Sequence, residues 1–473
     1  MPFLVVVSAL FGLLSSWWAS QVSSEYDLQR FIQYGVLVMA FSYLIGKRGD
    51  IYIDSISKHE KITWLGLLIW MLLVSLVSPS PWLALLEVGG WLGLFGLVFS
   101  IGLAVRGWVA LGWLLVGGSV MLLILLYALV TIDALILQRD FLLRRELTPG
   151  LGNIRHFSDL AAGLMPLSLL YIVSRPRHSL IAFMLCFLPL SFWWYLLFVS
   201  EGRSGILSLT LAMITALVLF RRAARWPVAT LFGSALAGLA GWWFVNPLRK
   251  TADGTIFLRD ITSDSNRFDL WRTAIEYGIE NFPFGIGPMQ FAGDGRISYA
   301  HAHNLIFNTA AEWGISIALL FLGLILYGCW RIYKRSKTIP EPDKPLFACL
   351  VMAFVGVMVN VQFAGAHIIP LSSLIMALAI GLVFGYRDSS QPPVERLAGP
   401  VPIQAKLLWV GIMLMMAYLF YAGMELYWLS MDSRMLCLQE AGHGTLYPRF
   451  WTQGRLECIQ MIAPDHWLFW SWR

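Results

Sequence analysis

The sequence predicts an all-α fold, a polytopic integral membrane bundle of about 12–13 spans, with one large polar loop and a short polar tail. Three observations carry this. Hydrophobic residues make up 58% of the chain and charged residues only 13%, and mean hydropathy is +0.68. That is the profile of a multi-span membrane protein rather than of two or three soluble domains. The apolar residues fall in runs of about 17 to 25, the length that crosses hydrocarbon as a helix. The 22 Trp and the 14% aromatic share suit interfacial belts, where an amphipathic ring straddles hydrocarbon and headgroup. On this reading residues 1–428 form the bundle, including a loop over 247–303, and residues 429–473 form the tail.

The runs begin near Pro2, Phe31, Ile62, Trp82, Trp108, Phe157, Leu180, Gly205, Pro227, Ile315, Leu346, Ile369 and Leu407, the second being short. The first, Phe3 to Trp18, has the length of a signal peptide. It lacks a basic n-region and a clear small-residue cleavage site, so it is read as an uncleaved span. A cytoplasmic N-terminus places Lys47–Lys61, SRPRHS from Ser174, RRAARW from Arg221, RIYKRSK from Arg331 and the Pro-rich linker Tyr386–Lys406 inside. Lys250 is then the one outer lysine, as expected when basic short loops stay cytoplasmic. Arginine divides eleven inside to fifteen outside. An outer face that avoids lysine and uses arginine points to planar, bidentate recognition of phosphate or carboxylate. The plainer alternative is pairing with nearby acids or lipid headgroups. Nucleic-acid binding is excluded as a class, because no soluble basic domain exists to hold it.

Asn281–Gly314, NFPFGIGPMQFAGDGRISYAHAHNLIFNTAAEWG, organises the rest. Pro283, Gly285, Gly287 and Pro288 mark a fixed irregular loop. His301 and His303 flank one alanine, Asn304 follows, and Glu312 comes just before Gly314. Polar residues opening an apolar segment are costly unless they face a wet cavity or a partner. Alternation brings both histidines to one side only in extended backbone. Neither a cysteine nor a third histidine lies at ligand spacing, so the expectation is no metal and no other cofactor. A neutral imidazole is the natural general base for a hydroxyl.

Four arginines are candidate anion ligands. Arg203, in SEGRSG, is bounded by Gly202 and Gly205, which leave room for a bulky anion. Arg267 stands in the first turn of a helix expected from near Asn266 and capped by Asp264 or Ser265, where free N–H groups also favour an anion. Phe268, Trp271 and Ile275 share one face of that helix. Arg272 sits five residues past Arg267 and well round the helix, so the two are not expected to meet one ligand, and for either the alternative is an ion pair with Asp264, Asp269 or Glu276. Arg155, with His156 and Asp159, stands at the mouth of the sixth span, as cavity lining or as helix-start capping groups. Cys186, Cys329 and Cys349 lie in apolar runs as packing residues. Cys437 and Cys458 lie in the polar tail and could pair in an oxidising compartment.

FGIGPMQF and HAHNLIFNTAAEWGI, preceded by NRFDLWRTA, resemble the O-antigen ligase and polymerase superfamily over roughly Leu151 to Leu382. The Gly-Arg-Ser element at Arg203 and GNIRHFSDL at the sixth span also match its arrangement. The resemblance implies an inner-membrane glycosyltransferase on a GT-C-like helical scaffold. Such an enzyme takes glycans from undecaprenyl diphosphate on the periplasmic side, without metal or sugar nucleotide. It also implies that Arg203 and Arg267 hold the lipid diphosphate, and that His303 is the base, with His301 as second candidate. Asn304, Glu312 and His156 are supporting residues. No Walker pattern is present, and none is needed when the energy already resides in the lipid diphosphate.

Three acceptors share this core: a protein hydroxyl such as pilin Ser/Thr, the lipid A core, and a growing glycan. A polar tail with two cysteines is more like the protein O-oligosaccharyltransferases of pilin glycosylation, which makes pilin the favoured acceptor and lipid A-core ligation the alternative. A transporter, the contrasting class, would bury ionisable groups at mid-membrane, whereas the charges here crowd the outer mouth.

Overall fold

In a computed structural model the described residues are 1–14, 24–46, 58–106, 108–137, 148–151, 153–175, 179–245, 266–293, 299–388, 403–440 and 448–471. Most of Lys47–Lys61, much of Ile132–His156, most of the linker after Tyr386, and residues 246–265 and 294–298 of the large loop lie outside them. Every regular element among the described residues is a helix, and each of the thirteen apolar runs contains one.

Among the described residues, eight helical stretches are long and apolar enough to cross a membrane: Pro81–Val105, Ala110–Asp133, His156–Val173, Leu180–Val199, Arg203–Phe244, Ile315–Thr338, Glu341–Asn360 and Val410–Arg434. Arg203–Phe244 holds two of the runs, helices Arg203–Phe220 and Arg225–Phe244, joined by a 3-10 turn over Arg221–Ala224. Pro2–Leu13, Ile62–Val77 and Pro370–Gly385 are shorter apolar helices. The protein is therefore an integral membrane protein of polytopic helical type.

The second run departs most from its expected form. Its helix covers Glu25–Gly46 and starts well before Phe31, because its polar first turns are answered inside the fold. Arg30 donates to Ile368 O at 2.8 Å, Gln33 to Ser373 Oγ at 2.6 Å, and Gln29 to Gly150 O at 2.5 Å. Buried polar groups with such partners cost little. The last run lies in helix Ile403–Glu440, which continues beyond residue 428.

The chain forms two compact units. The first comprises Met1–Val36, Ile101–Ser263 and Cys329–Val394, and the second Leu37–Ser100, Asp264–Gly328 and Glu395–Arg473. Small residues let helices approach closely in the first. A Cβ on Gly356 would lie 2.2 Å from Ala162 O, and one on Gly238 would lie 2.5 Å from Ser191 O. This is the packing expected where lipid supplies no hydrophobic drive between helices. In the second unit Leu67, Met71, Val74, Val88, Trp313 and Ile317 form a core, and Trp70 Nε1 donates to Trp313 O at 3.2 Å. The tail packs into this unit: Trp451 is buried and donates to Gly423 O at 3.0 Å, and Cys437 and Cys458 are disulfide-bonded.

Gly356→Ala is expected to cost about 1–3 kcal/mol, because the added methyl group forces two helices apart. Gly323→Ala, where a Cβ would meet nothing within 4 Å, should be neutral or slightly stabilising. Thermal unfolding of the two variants in detergent checks the contrast.

Candidate active site

In the second unit the Gly/Pro-rich loop and the short helix Leu305–Trp313 form one construction. A helix leaves its last carbonyls without intrahelical partners. Here Ile286 N donates to Ala311 O at 2.8 Å and Gly287 N to Glu312 O at 3.1 Å. The loop comes close enough for these bonds only where side chains are missing. A Cβ on Gly285 would lie 2.4 Å from Ala311 O, and one on Gly314 would lie 1.9 Å from Pro283 O. Both glycines also have positive φ, 73° and 92°, which glycine adopts without steric cost. The spacing of FGIGP therefore reflects how this loop ends the helix.

At the other end of that helix Asn304 is the N-cap, its side chain accepting from Phe307 N at 2.9 Å. His301 and His303 come together just before it, with ring centroids 4.1 Å apart. His303 N donates to His301 Nδ1 at 3.2 Å, which leaves the His301 proton on Nε2 in the neutral ring. His301 is buried and His303 half-buried, the His303 ring meeting Tyr299 edge-on. His303 has φ 50°, in the left-handed region. A non-glycine residue held there costs about 1–3 kcal/mol and persists only when its surroundings over-determine it.

Those surroundings are polar and buried. Ala302 N donates to Asn308 Oδ1 at 3.1 Å, and Asn308 Nδ2 donates to Glu312 Oε2 at 3.0 Å. Glu312 has no solvent exposure, and its Oε1 accepts from Phe291 N at 3.2 Å. Arg449, from the tail, completes the network with Nη2 2.5 Å from Glu312 Oε2 and 3.2 Å from Glu87 Oε1. Burial pushes the Glu312 carboxyl up from its ordinary value, the Arg449 guanidinium pulls it back, and nearby Glu87 adds to the rise.

Helix Arg267–Glu280 supports this floor with Leu270, Ala274 and Tyr277, which pack with Phe291, Ala302 and Ala311. The expected apolar face is split: Phe268 is 67% and Ile275 39% exposed, whereas Trp271 packs against this core. Gly278 lets this helix approach the helix carrying Asn304 closely: a Cβ would sit 2.8 Å from Ala310 O. The helix begins at Arg267 with Asn266 as cap residue, at φ 61°; Asp264 and Ser265 lie outside the described residues. Arg267 is half-buried in the first turn. Arg272 is 81% exposed and bonded through Nε to Glu276 Oε1 at 2.9 Å.

In the first unit Arg155, His156 and Arg203 are gathered where two helices start. Arg203 opens helix Arg203–Phe220 after Gly202. Ser158 and Ser204 hydroxyls lie 3.2 Å apart, and a Cβ on Gly205 would lie 2.8 Å from Ser158 Cβ. The glycines flanking Arg203 thus admit the neighbouring helix. Arg155 occupies the cap position of helix His156–Ser168 and is exposed, its N donating to Asn153 Oδ1 at 3.0 Å. Asp159 is buried and accepts from Asn360 Nδ2 at 2.6 Å. Among the described residues no group of three or more His, Cys, Asp or Glu gathers as metal ligands.

Sequence reasoning missed Arg449 and Glu87. Glu87 did carry a signal, as the one charged residue in the apolar run Trp82–Val105, since a lone acid there demands a partner.

Residues 186–322 match a family model described as O-antigen ligase. No curated protein matches the chain.

Asn304→Ala is expected to destabilise the protein by about 1 kcal/mol through loss of the cap, and Asn304→Asp to retain most of that stability. Thermal unfolding, with exchange at the Phe307 amide as the local reporter, checks it.

Proposed function

From the O-antigen ligase match over residues 186–322, which supports membership of that superfamily, we propose that the protein moves a glycan en bloc from undecaprenyl diphosphate to a hydroxyl acceptor. The reaction is placed at the periplasmic face of the bacterial inner membrane. The observation that carries this reading is the histidine pair, two imidazoles 4.1 Å apart on a loop bonded into a buried polar network. A hydroxyl is a weak nucleophile, and an imidazole at its proton is worth about 10²–10⁴ in rate.

His303 takes the acceptor proton as the acceptor oxygen bonds to the anomeric carbon. The bond from that carbon to the diphosphate oxygen breaks, and undecaprenyl diphosphate leaves with the electron pair. Attack opposite the leaving group inverts the anomeric centre. The departing charge calls for guanidinium donors, the role proposed for Arg203 and Arg267. Both are half-buried, and each directly follows or nearly follows a non-glycine residue at positive φ, Asn266 before Arg267 and Glu201 two before Arg203. Arg272 and Arg155, both exposed, fit an outer electrostatic role toward the donor. Pilin Ser/Thr is the proposed acceptor and the lipid A core the alternative.

The test is transfer by purified protein from lipid-linked donor to pilin and lipid A core in competition. Label on pilin supports the proposed acceptor, and label on lipid A core alone replaces it. His303→Ala is expected to lose at least about 100-fold in transfer while remaining folded by size-exclusion chromatography. Near-normal transfer would remove His303 as base. Arg203→Lys and Arg267→Lys should each lose most activity, because a point charge cannot reproduce a bidentate fork. Activity retained by both variants would count against diphosphate binding there.

A further inference from the structure

Arg449 carries the tail to the histidine loop. Arg449 is 1% exposed and lies in sequence between the disulfide-bonded Cys437 and Cys458. Besides its two carboxylates, its Nη1 lies 3.4 Å from Ala300 O, the carbonyl immediately before His301. The residue after His301 is tied to the same cation by a longer route, Ala302 N to Asn308, Asn308 to Glu312, and Glu312 to Arg449. Both neighbours of His301 are thus anchored to one guanidinium.

Building on the proposed transfer reaction, we propose that Arg449 is a positioning residue for the His301–His303 loop, held in place by the disulfide-closed tail, so that full activity requires the oxidised tail. Stability alone gives a poor account of it. A buried ion pair is often no better for stability than well-packed apolar groups of the same volume. What the guanidinium supplies is a planar fork that serves acceptors from three separate segments, Glu87, Ala300 and Glu312. A lysine ammonium, a compact point charge, has no such fork. The tail around Arg449 is seated independently by Trp451 on Gly423 O, so a change at Arg449 can act on the loop without releasing the tail.

The experiment uses the full chain in nanodiscs, comparing wild type, Arg449→Lys and, as a control within the same disulfide loop, Arg455→Lys, whose side chain pairs with Glu457. Hydrogen exchange over residues 299–308 reads the loop without reference to activity. Transfer kinetics with lipid-linked donor read its consequence. Arg449→Lys should exchange at Ala302 and His303 at least about tenfold faster. Its kcat should fall about 10- to 100-fold, with donor KM within about threefold and the 270–277 core still protected. Arg455→Lys should match wild type. Unchanged exchange in Arg449→Lys overturns the proposal, as does faster exchange with normal kcat. If Arg449→Lys does not fold, reduction of folded wild type by a phosphine decides. Faster loop exchange and lower kcat support the proposal, and neither changing overturns it. Wild type that transfers to neither acceptor defeats the proposed function, while the exchange measurement still judges the tether.

Discussion

A carboxylate without solvent exposure governs the second unit. Glu312 cannot be hydrated, so each of its oxygens has to be answered by protein, and the answers come from distant places: Phe291 N, Asn308 Nδ2 and Arg449 Nη2. Removing Arg449, its one cationic partner among the described residues, would leave an uncompensated buried charge, which costs about 3–5 kcal/mol. The acid therefore ties the loop over 283–293, the helix Leu305–Trp313 and the tail to one another. The backbone of the same residue closes the arrangement, since Glu312 O accepts from Gly287 N. A residue in the last turn of an apolar helix thus sets where the preceding loop can run.

The first unit solves a different problem with different means. Its helices approach through Gly356, Gly238 and Gly205, whose missing side chains leave backbone and serine hydroxyls in contact. Its buried polar groups include neutral amides on carbonyls and hydroxyls, as with Gln29 and Gln33. Neutral bonds of this kind contribute about 0.5–1.5 kcal/mol each, but leaving one unmade in a buried setting costs more. The polar residues therefore act chiefly to specify which helix faces meet.

Much of this was legible before any coordinates. Thirteen apolar runs foretold thirteen helices because run length and composition are local properties, and Gly285 and Gly287 as loop residues are likewise local. The helix start at Glu25 was not legible, because Gln29 and Arg30 look solvent-bound until Gly150 and Ile368, 121 and 338 residues away, are known as partners. Nor was the buried side of helix Arg267–Glu280. Periodicity favoured the large apolar residues Phe268, Trp271 and Ile275, of which Phe268 and Ile275 are exposed, whereas Leu270, Ala274 and Tyr277 are buried and Trp271 packs against them. Arg449 was hidden for a related reason, since pairing across 137 residues leaves no trace in spacing.

Strain points the same way as the hydrogen bonds. Five non-glycine residues among those described have positive φ: Glu201, Arg221, Asn266, Met289 and His303. Arg221 sits at a helix-to-helix corner, where the chain must reverse direction over few residues. The others stand at or near the residues that chemistry had singled out: two before Arg203, next to Arg267, two before Phe291, and at His303 itself. Each such conformation must be offset by surrounding contacts, so it is kept only where those contacts over-determine it. At His303 the offsetting contacts can be named, from the Asn304 cap to Asn308 and Glu312. A loop in which an imidazole is held against its backbone preference by buried, charge-assisted bonds is already organised before any substrate arrives. A group transfer that develops charge in a water-poor site needs that preorganisation, because dipoles fixed in advance need not reorient as the bond breaks.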